Sequence, residues 1–203
     1  MGPEKYNQEE IHFMTQMPKN TQYKFLKCNP PEGFSHCIRI AVLINARVEE
    51  VFSLVLNIRN YGIFWPEYEF KPEGDGKLRK GLIYHTRERG AKKWVKYKIV
   101  DFTEDYFYSG EMMGRDAFLK KMQYEHHFIP VDNRTLSVES VYYTLRYGVV
   151  GKILNLLIAE RTIKRRLLKA HLKLKEVAEK KRSLLSQVNT ALYSPTITSP
   201  TSQ

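Results

Sequence analysis

Two adjacent histidines, His126 and His127, are the residues in this sequence whose type first suggests chemistry. Histidine is the usual general acid or base near neutral pH and the commonest metal ligand. Polar and apolar residues alternate around them, which predicts a strand whose neighbouring side chains point to opposite faces. The two imidazoles therefore cannot chelate one ion together, and we find no spacing of two histidines and a carboxylate typical of non-haem iron. We expect no metal and no cofactor.

Tyrosines around His126 offer hydrogen bonding or proton transfer instead. Tyr124 and Tyr142 lie in predicted strands, and either of them could work with His126 to move a proton. Nothing in the sequence requires a reaction, however, and both the glycine-rich phosphate loop and the Gly-x-Ser-x-Gly nucleophile motif are absent. We therefore favour binding over catalysis and leave enzyme activity open.

A large basic charge is concentrated in one part of the chain. Residues 152–182 contain eleven Lys/Arg against three Glu, so this stretch carries +8 of the net charge of +11. Such a surface could dock on anionic membrane, follow a nucleic-acid backbone, or simply keep the protein in solution. We rank nucleic acid last because the aromatic motif of an RNA-binding sheet is missing. The residues predicted to form this surface are Arg161, Lys164, Arg165, Arg166, Lys169 and Lys173.

The two cysteines, Cys28 and Cys37, are expected to be lone thiols, which fit a reducing cytoplasm. The start of the chain lacks the pattern of a signal peptide, and the longest apolar run, residues 153–159, is too short to cross a bilayer. We expect a cytoplasmic protein that is either soluble or peripherally attached to a membrane. The sequence does not predict its oligomeric state.

Hydrophobic periodicity predicts the elements that must position these side chains. A β-rich strand at 37–44 is followed by helical segments at 48–55 and 58–64, and from residue 82 to 147 the period is two, with regularly spaced breaks typical of hairpins. From residue 148 to about 181 apolar residues recur at three- and four-residue steps, which predicts one long helix. We expect an irregular extension over 1–35, with a short strand near 23–26, one domain over 36–182 and a disordered Ser/Thr/Pro-rich tail over 183–203.

The opening segments Ile44–Val55, Ile58–Tyr61 and Phe64–Pro66, and the closing segment from Gly148 to Leu154, resemble the polyketide cyclase/dehydrase and lipid-transport superfamily. The resemblance in element order runs over residues 37–181. It implies an α+β helix-grip fold: a curved antiparallel sheet of about six to seven strands, two short helices after the first strand, and a long C-terminal helix over a cavity. It also implies a hydrophobic ligand such as a lipid, quinone or polyketide-like molecule, with a cyclase or dehydratase as the alternative.

Inward-facing strand residues would line the cavity of such a fold, although a one-residue error in register would exchange the faces. The candidates are Phe64, Trp65, Tyr84, Tyr97, Met122, Tyr124, His126, Tyr142 and Leu157.

Overall fold

A single eight-stranded antiparallel sheet dominates the computed structural model, which describes residues 6–17, 22–114, 116, 118–146 and 158–193. The strand order is β1-β2-β8-β7-β6-β5-β4-β3, so every strand from β3 to β8 pairs with its neighbour in sequence. This is the predicted meander, with one or two strands more than expected. The strands are β1 (Tyr23–Leu26), β2 (His36–Ile44), β3 (Tyr68–Pro72), β4 (Ile83–Glu88), β5 (Val95–Thr103), β6 (Phe107–Met113), β7 (Leu119–Val131) and β8 (Arg134–Leu145).

Four α-helices accompany the sheet in the described residues. They are α1 (Gln8–Thr15), α2 (Val48–Val55), α3 (Tyr61–Phe64) and α4 (Glu160–Tyr193), and a 3-10 turn at Ile58–Asn60 precedes α3. The helix α4 lies against one face of the sheet, which we call the inner face, and α1 lies against the other, which we call the outer face. Sheet and helices form the predicted α+β helix-grip fold.

Tight turns fix the register of the hairpins. Asp105 between β5 and β6 and Asp132 between β7 and β8 have positive φ values of 62° and 53°. Aspartate adopts this left-handed backbone more readily than most residues, so both positions suit a short reversal. Both fall at breaks that the sequence pattern predicts.

Alternation along each strand separates two clusters of buried side chains. On the inner face, Val141 and Phe128 pack with Phe52 of α2 and with Leu167 and Leu174 of α4. Their neighbours along the strands point the other way. The main core therefore lies between the sheet and α4.

The outer face carries a smaller core beneath α1. Met14 of α1 packs with Ala41, Leu136 and Val138, and the Tyr6 ring meets the edge of the His127 ring. A capping box starts the helix, since Asn7 and Glu10 exchange hydrogen bonds between side chain and backbone. The extension over 1–35, expected to be irregular, thus contains α1 as well as the predicted strand β1.

Cys28 and Cys37 form a disulfide, so the expectation of two lone thiols is wrong. Cys37 is the second residue of β2, and Cys28 follows β1, which pairs with β2. This pairing brings the two Cα atoms to 5.9 Å, a normal separation for a disulfide. The argument from free thiols for a reducing cytoplasm therefore does not apply.

Two residues in the middle of α4 anchor it to the chain around the ends of β2 and β8. Lys175 donates to the Leu43 carbonyl (3.0 Å), and Arg182 donates to the carbonyls of Asn45 and Asn133 (3.0 Å each). The helix reaches Tyr193, beyond the predicted end near 181, so the predicted boundary at 182 falls inside it. Residues 147–157, which include the predicted first turns of this helix from residue 148, lie outside the described residues, as do 194–203 of the predicted tail.

Candidate functional site

A cluster of buried tyrosines occupies the inner face. Tyr84 of β4 and Tyr124 of β7 share a hydrogen bond between their hydroxyl oxygens (2.9 Å), and the Tyr97 ring stacks on Tyr84 with centroids 5.4 Å apart. Tyr97 donates to Met122 Sδ (3.5 Å). These phenols form an apolar surface with several hydroxyl groups, a combination suited to a ligand that is mostly hydrophobic.

Gly110 of β6 makes room for this arrangement. A Cβ at that position would lie 2.4 Å from the Tyr124 hydroxyl oxygen and 2.5 Å from its Cζ. The Tyr124 ring therefore lies directly over the glycine, which is how it reaches Tyr84 across β5 and β6. A glycine inside a strand often marks such a close approach.

A hydrogen-bonded chain runs from the tyrosines to β8 through His126. The Tyr108 hydroxyl lies 3.0 Å from His126 Nδ1, and His126 Nε2 lies 2.7 Å from Ser137 Oγ. Strand pairing explains the contact, because Tyr108 is opposite His126 in the β6–β7 register. Burial between Phe128 and α4, with His171 nearby, lowers the pKa of His126 well below its usual range.

Two further titratable residues meet His126 under α4. Glu139 of β8 is opposite His126 in the β7–β8 register, and its Oε2 lies 3.9 Å from His126 Nδ1. His171 of α4 places Nε2 3.4 Å from the same carboxylate oxygen. Donor atoms of all three residues lie within 4.8 Å of one another, and we call these residues the His-Glu-His cluster.

Desolvation dominates the electrostatics of this cluster and of the tyrosines around it. Burial raises the pKa of Glu139 to about 8 and lowers the pKa of His171 to about 4. Burial also raises the pKa of Tyr84, Tyr108 and Tyr124 well above the usual value for tyrosine. Low-dielectric surroundings thus favour the neutral form of every one of these groups.

Comparison with known proteins matches this architecture to a family. The model of the family described as polyketide cyclase/dehydrase and lipid transport matches residues 35–179. The chain belongs to this family. No curated protein matches the sequence.

Solved structures of similar fold are distant in sequence. An aromatase/cyclase from Streptomyces superimposes with a TM-score of 0.59 at 12% identity, covering 72% of this chain and 94% of that one. Norcoclaurine synthase from Thalictrum flavum, in complex with a transition-state analogue, gives 0.57 at 13%, covering 72% and 96%. Ara h 8.0201 gives 0.56 at 15%, covering 71% and 98%. These likenesses show the helix-grip fold.

Most of the predicted cavity residues of this polyketide cyclase/lipid-transport domain lie in the main core between the inner face and α4. These are Phe64, Trp65, Tyr84, Tyr97, Met122, Tyr124 and His126. Tyr142 does not, because the β8 alternation that directs Val141 and Tyr143 inward turns it to the outer face, where it donates to Glu125 (3.0 Å). Assigning it to the inner face is wrong by one residue of register. Leu157 lies outside the described residues.

Tyr108, Glu139 and His171 are the inner-face residues that sequence reasoning missed. His126 and His127 do point to opposite faces, with His127 beside Tyr6. The sequence shows no typical spacing of two histidines and a carboxylate, yet the fold brings His126, His171 and Glu139 together. The second histidine comes from α4 rather than from the sheet. Its position was detectable, since His171 falls on the apolar stripe of Leu167 and Leu174 at helical spacing.

The predicted basic surface of the domain is largely offset by acidic partners. Four of its residues form ion pairs at the helix surface: Lys164 with Glu160, Arg166 with Glu88, Lys169 with Glu67 and Lys173 with Glu176. Arg161 and Arg165 are exposed. The surface thus presents less net charge to a phosphate partner than the sequence suggests. No helix in the described part of the chain has the length and apolar character needed to span a bilayer.

Proposed function

We propose that this protein binds a hydrophobic small molecule with at least one carbonyl or hydroxyl group, held between the inner face and α4. The observation that carries the proposal is the tyrosine cluster, whose hydroxyls lie among apolar side chains in the core between the sheet and α4. An apolar core that served packing alone would gain little from phenol hydroxyls, each of which must find a hydrogen-bond partner once buried. A ligand carbonyl can accept from these hydroxyls while its hydrocarbon part contacts their rings. Membership of a family of polyketide cyclases and lipid-transport proteins supports the same class of ligand.

The experiment begins with the ligand that accompanies the protein. Full-length protein is purified without detergent, and its organic extract is analysed by mass spectrometry. In parallel, hydrophobic candidates are titrated into a Trp94→Phe variant, whose one remaining tryptophan is Trp65. Trp65 packs against the main core, so its fluorescence reports binding there. We expect a stoichiometric bound molecule or saturable quenching.

Two tyrosines on neighbouring strands provide a matched pair of variants. Tyr124→Phe removes an inner hydroxyl, whereas Tyr142→Phe removes an outer one bonded to Glu125. Loss of one hydrogen bond of about 1 kcal/mol weakens binding about fivefold. We expect that loss in Tyr124→Phe alone. Equal effects of the two variants, or the absence of any bound or bindable apolar molecule, would overturn the proposal.

A cyclase- or dehydratase-type reaction in the same interior is the second candidate, and the chain Tyr108–His126–Ser137 favours it. In the tautomer in which His126 Nδ1–H donates to the Tyr108 oxygen and Nε2 accepts from Ser137, the Tyr108 O–H is free to donate to a ligand carbonyl. The test is turnover of polyketide-like substrates by His126→Gln beside His127→Gln, whose ring lies on the outer face. Equal turnover by the two variants excludes a role for His126.

A further inference from the structure

The protonation of His171 is defined by its backbone partner. His171 Nδ1 lies 2.9 Å from the Leu167 carbonyl oxygen, which can only accept a hydrogen bond. Nδ1 must therefore carry the proton, and in the neutral ring Nε2 is left with a bare lone pair. That lone pair is buried, has no hydrogen-bond partner among the described residues, and lies 3.4 Å from Glu139 Oε2. His171 Nε2 thus faces a carboxyl group that either donates a proton to it or, once ionised, leaves two electron-rich atoms facing each other in the core.

His126 brings a second lone pair to the same carboxylate. When Nε2–H donates to Ser137 Oγ, Nδ1 is an acceptor, and this is the nitrogen 3.9 Å from Glu139 Oε2. Each histidine therefore has one ring nitrogen bonded to a protein oxygen, Nδ1 of His171 to Leu167 and Nε2 of His126 to Ser137, while its other nitrogen faces Glu139. Metal-ligating histidines show this arrangement, because the hydrogen bond of the nitrogen that does not bind the metal fixes the ring and its tautomer.

From these contacts we propose that the His-Glu-His cluster binds a divalent first-row transition-metal ion such as Zn²⁺ or Fe²⁺. Two imidazoles and a carboxylate are the donor set that such ions prefer. Ligand atoms on a tetrahedral ion with bonds of about 2.1 Å are about 3.4 Å apart, which is the His171–Glu139 separation. All three donor atoms lie within 4.8 Å of one another, so the most distant pair must approach by up to about 1.4 Å through side-chain rotation when the ion binds.

The ion would take three ligands from the protein and leave a coordination position open, as in catalytic rather than structural sites. The Tyr108 hydroxyl, now bonded to His126 Nδ1, would turn toward that position. This inference does not depend on the proposed hydrophobic ligand, since the ion would bind to the protein alone.

The test measures metal binding by full-length, untagged protein stripped with a chelator. Zn²⁺ affinity is determined by competition with a chromophoric chelator, after loading both by incubation and by refolding in the presence of Zn²⁺, because the site is buried. Co²⁺ is the spectroscopic probe. We expect one equivalent of Zn²⁺ and a Co²⁺ d–d spectrum with nitrogen and oxygen ligands.

Variants separate this site from adventitious binding. Glu139→Gln and His171→Leu should each weaken Zn²⁺ binding by more than about a hundredfold, and Ser137→Ala by about ten- to a hundredfold. Two histidine controls should bind as the parent does: His127→Gln on the outer face, and His85→Gln beside Glu73 on the surface. Circular dichroism identifies any variant that fails to fold. Absence of binding after refolding, or binding lost in His85→Gln but kept in Glu139→Gln, would overturn the proposal.

Discussion

Replacement of Gly110 by alanine tests the organisation of the inner face most directly. The new Cβ would lie 2.4 Å from the Tyr124 hydroxyl oxygen, 2.5 Å from Cζ and 2.7 Å from Cε1, all far inside van der Waals contact. The obstacle is the ring itself and not a flexible chain end. Tyr124 must therefore move away from β6, and its hydrogen bond with Tyr84 (2.9 Å) is lost or distorted.

Three contributions determine how much Gly110→Ala lowers the free energy of unfolding. Overpacking a core by one methyl group costs about 1–3 kcal/mol. Loss of a buried hydrogen bond adds about 1 kcal/mol. Replacing glycine within a strand returns about 0.5–1 kcal/mol of backbone entropy. We therefore expect the free energy of unfolding to fall by about 1–3.5 kcal/mol.

Urea unfolding followed by circular dichroism measures this change. Gly62→Ala is the matched control, because a Cβ there meets no atom within 4 Å, and we expect it to be neutral or slightly stabilising. A double-mutant cycle isolates the clash: with Tyr124→Leu in place, Gly110→Ala should lose most of its cost. An equal cost in both backgrounds would refute the reasoning, since the strain would then lie in the strand and not in the Tyr124 ring.

Three other perturbations test the disulfide, the buried carboxylate and the N-terminal helix. Reduction, or Cys28→Ser, should cost about 2–3 kcal/mol in urea unfolding, because the Cys28–Cys37 bond closes a loop with a sequence separation of 9; an unchanged midpoint would contradict this. In chelator-treated protein, stability should fall by about 1.5 kcal/mol from pH 6.5 to 8, because folded Glu139 keeps its proton up to a pKa of about 8 while the unfolded chain has lost it. Glu139→Gln should remove this fall, and a fall that persists would assign it elsewhere. Met14→Ala should cost about 2–3 kcal/mol by opening the outer core, with the exposed Phe13→Ala as control.

The fold could be predicted from the sequence because the patterns that indicate it are local. Alternation in β4 to β8, turn residues such as Asp132, and the apolar stripe of α4 each depend on residues close together in the chain. The helix α1 was missed for the opposite reason. Its apolar residues, such as Met14, are few, and they are buried only because the outer face of β2, β7 and β8 offers a matching surface.

The candidate site could be predicted only in part from the sequence, since it depends on strand register. Tyr124 was placed correctly and Tyr142 was not, although both belong to alternating segments, because periodicity gives two faces without saying which one is inner. The disulfide was missed because β1 and β2 are paired by contacts that no spacing in the sequence reveals.

The His-Glu-His cluster depends on a longer-range relation, the position of α4 over the sheet. Lys175 follows His171 by one helical turn and donates to the Leu43 carbonyl, while Arg182 binds the carbonyls of Asn45 and Asn133 further along. These contacts determine how far the helix extends past β2, and so which of its residues faces Glu139. A shift of one turn, about 5.4 Å, would replace His171 by Leu167 or Lys175 at that level. Lys175 and Arg182 of α4 therefore help to align the interior of the protein.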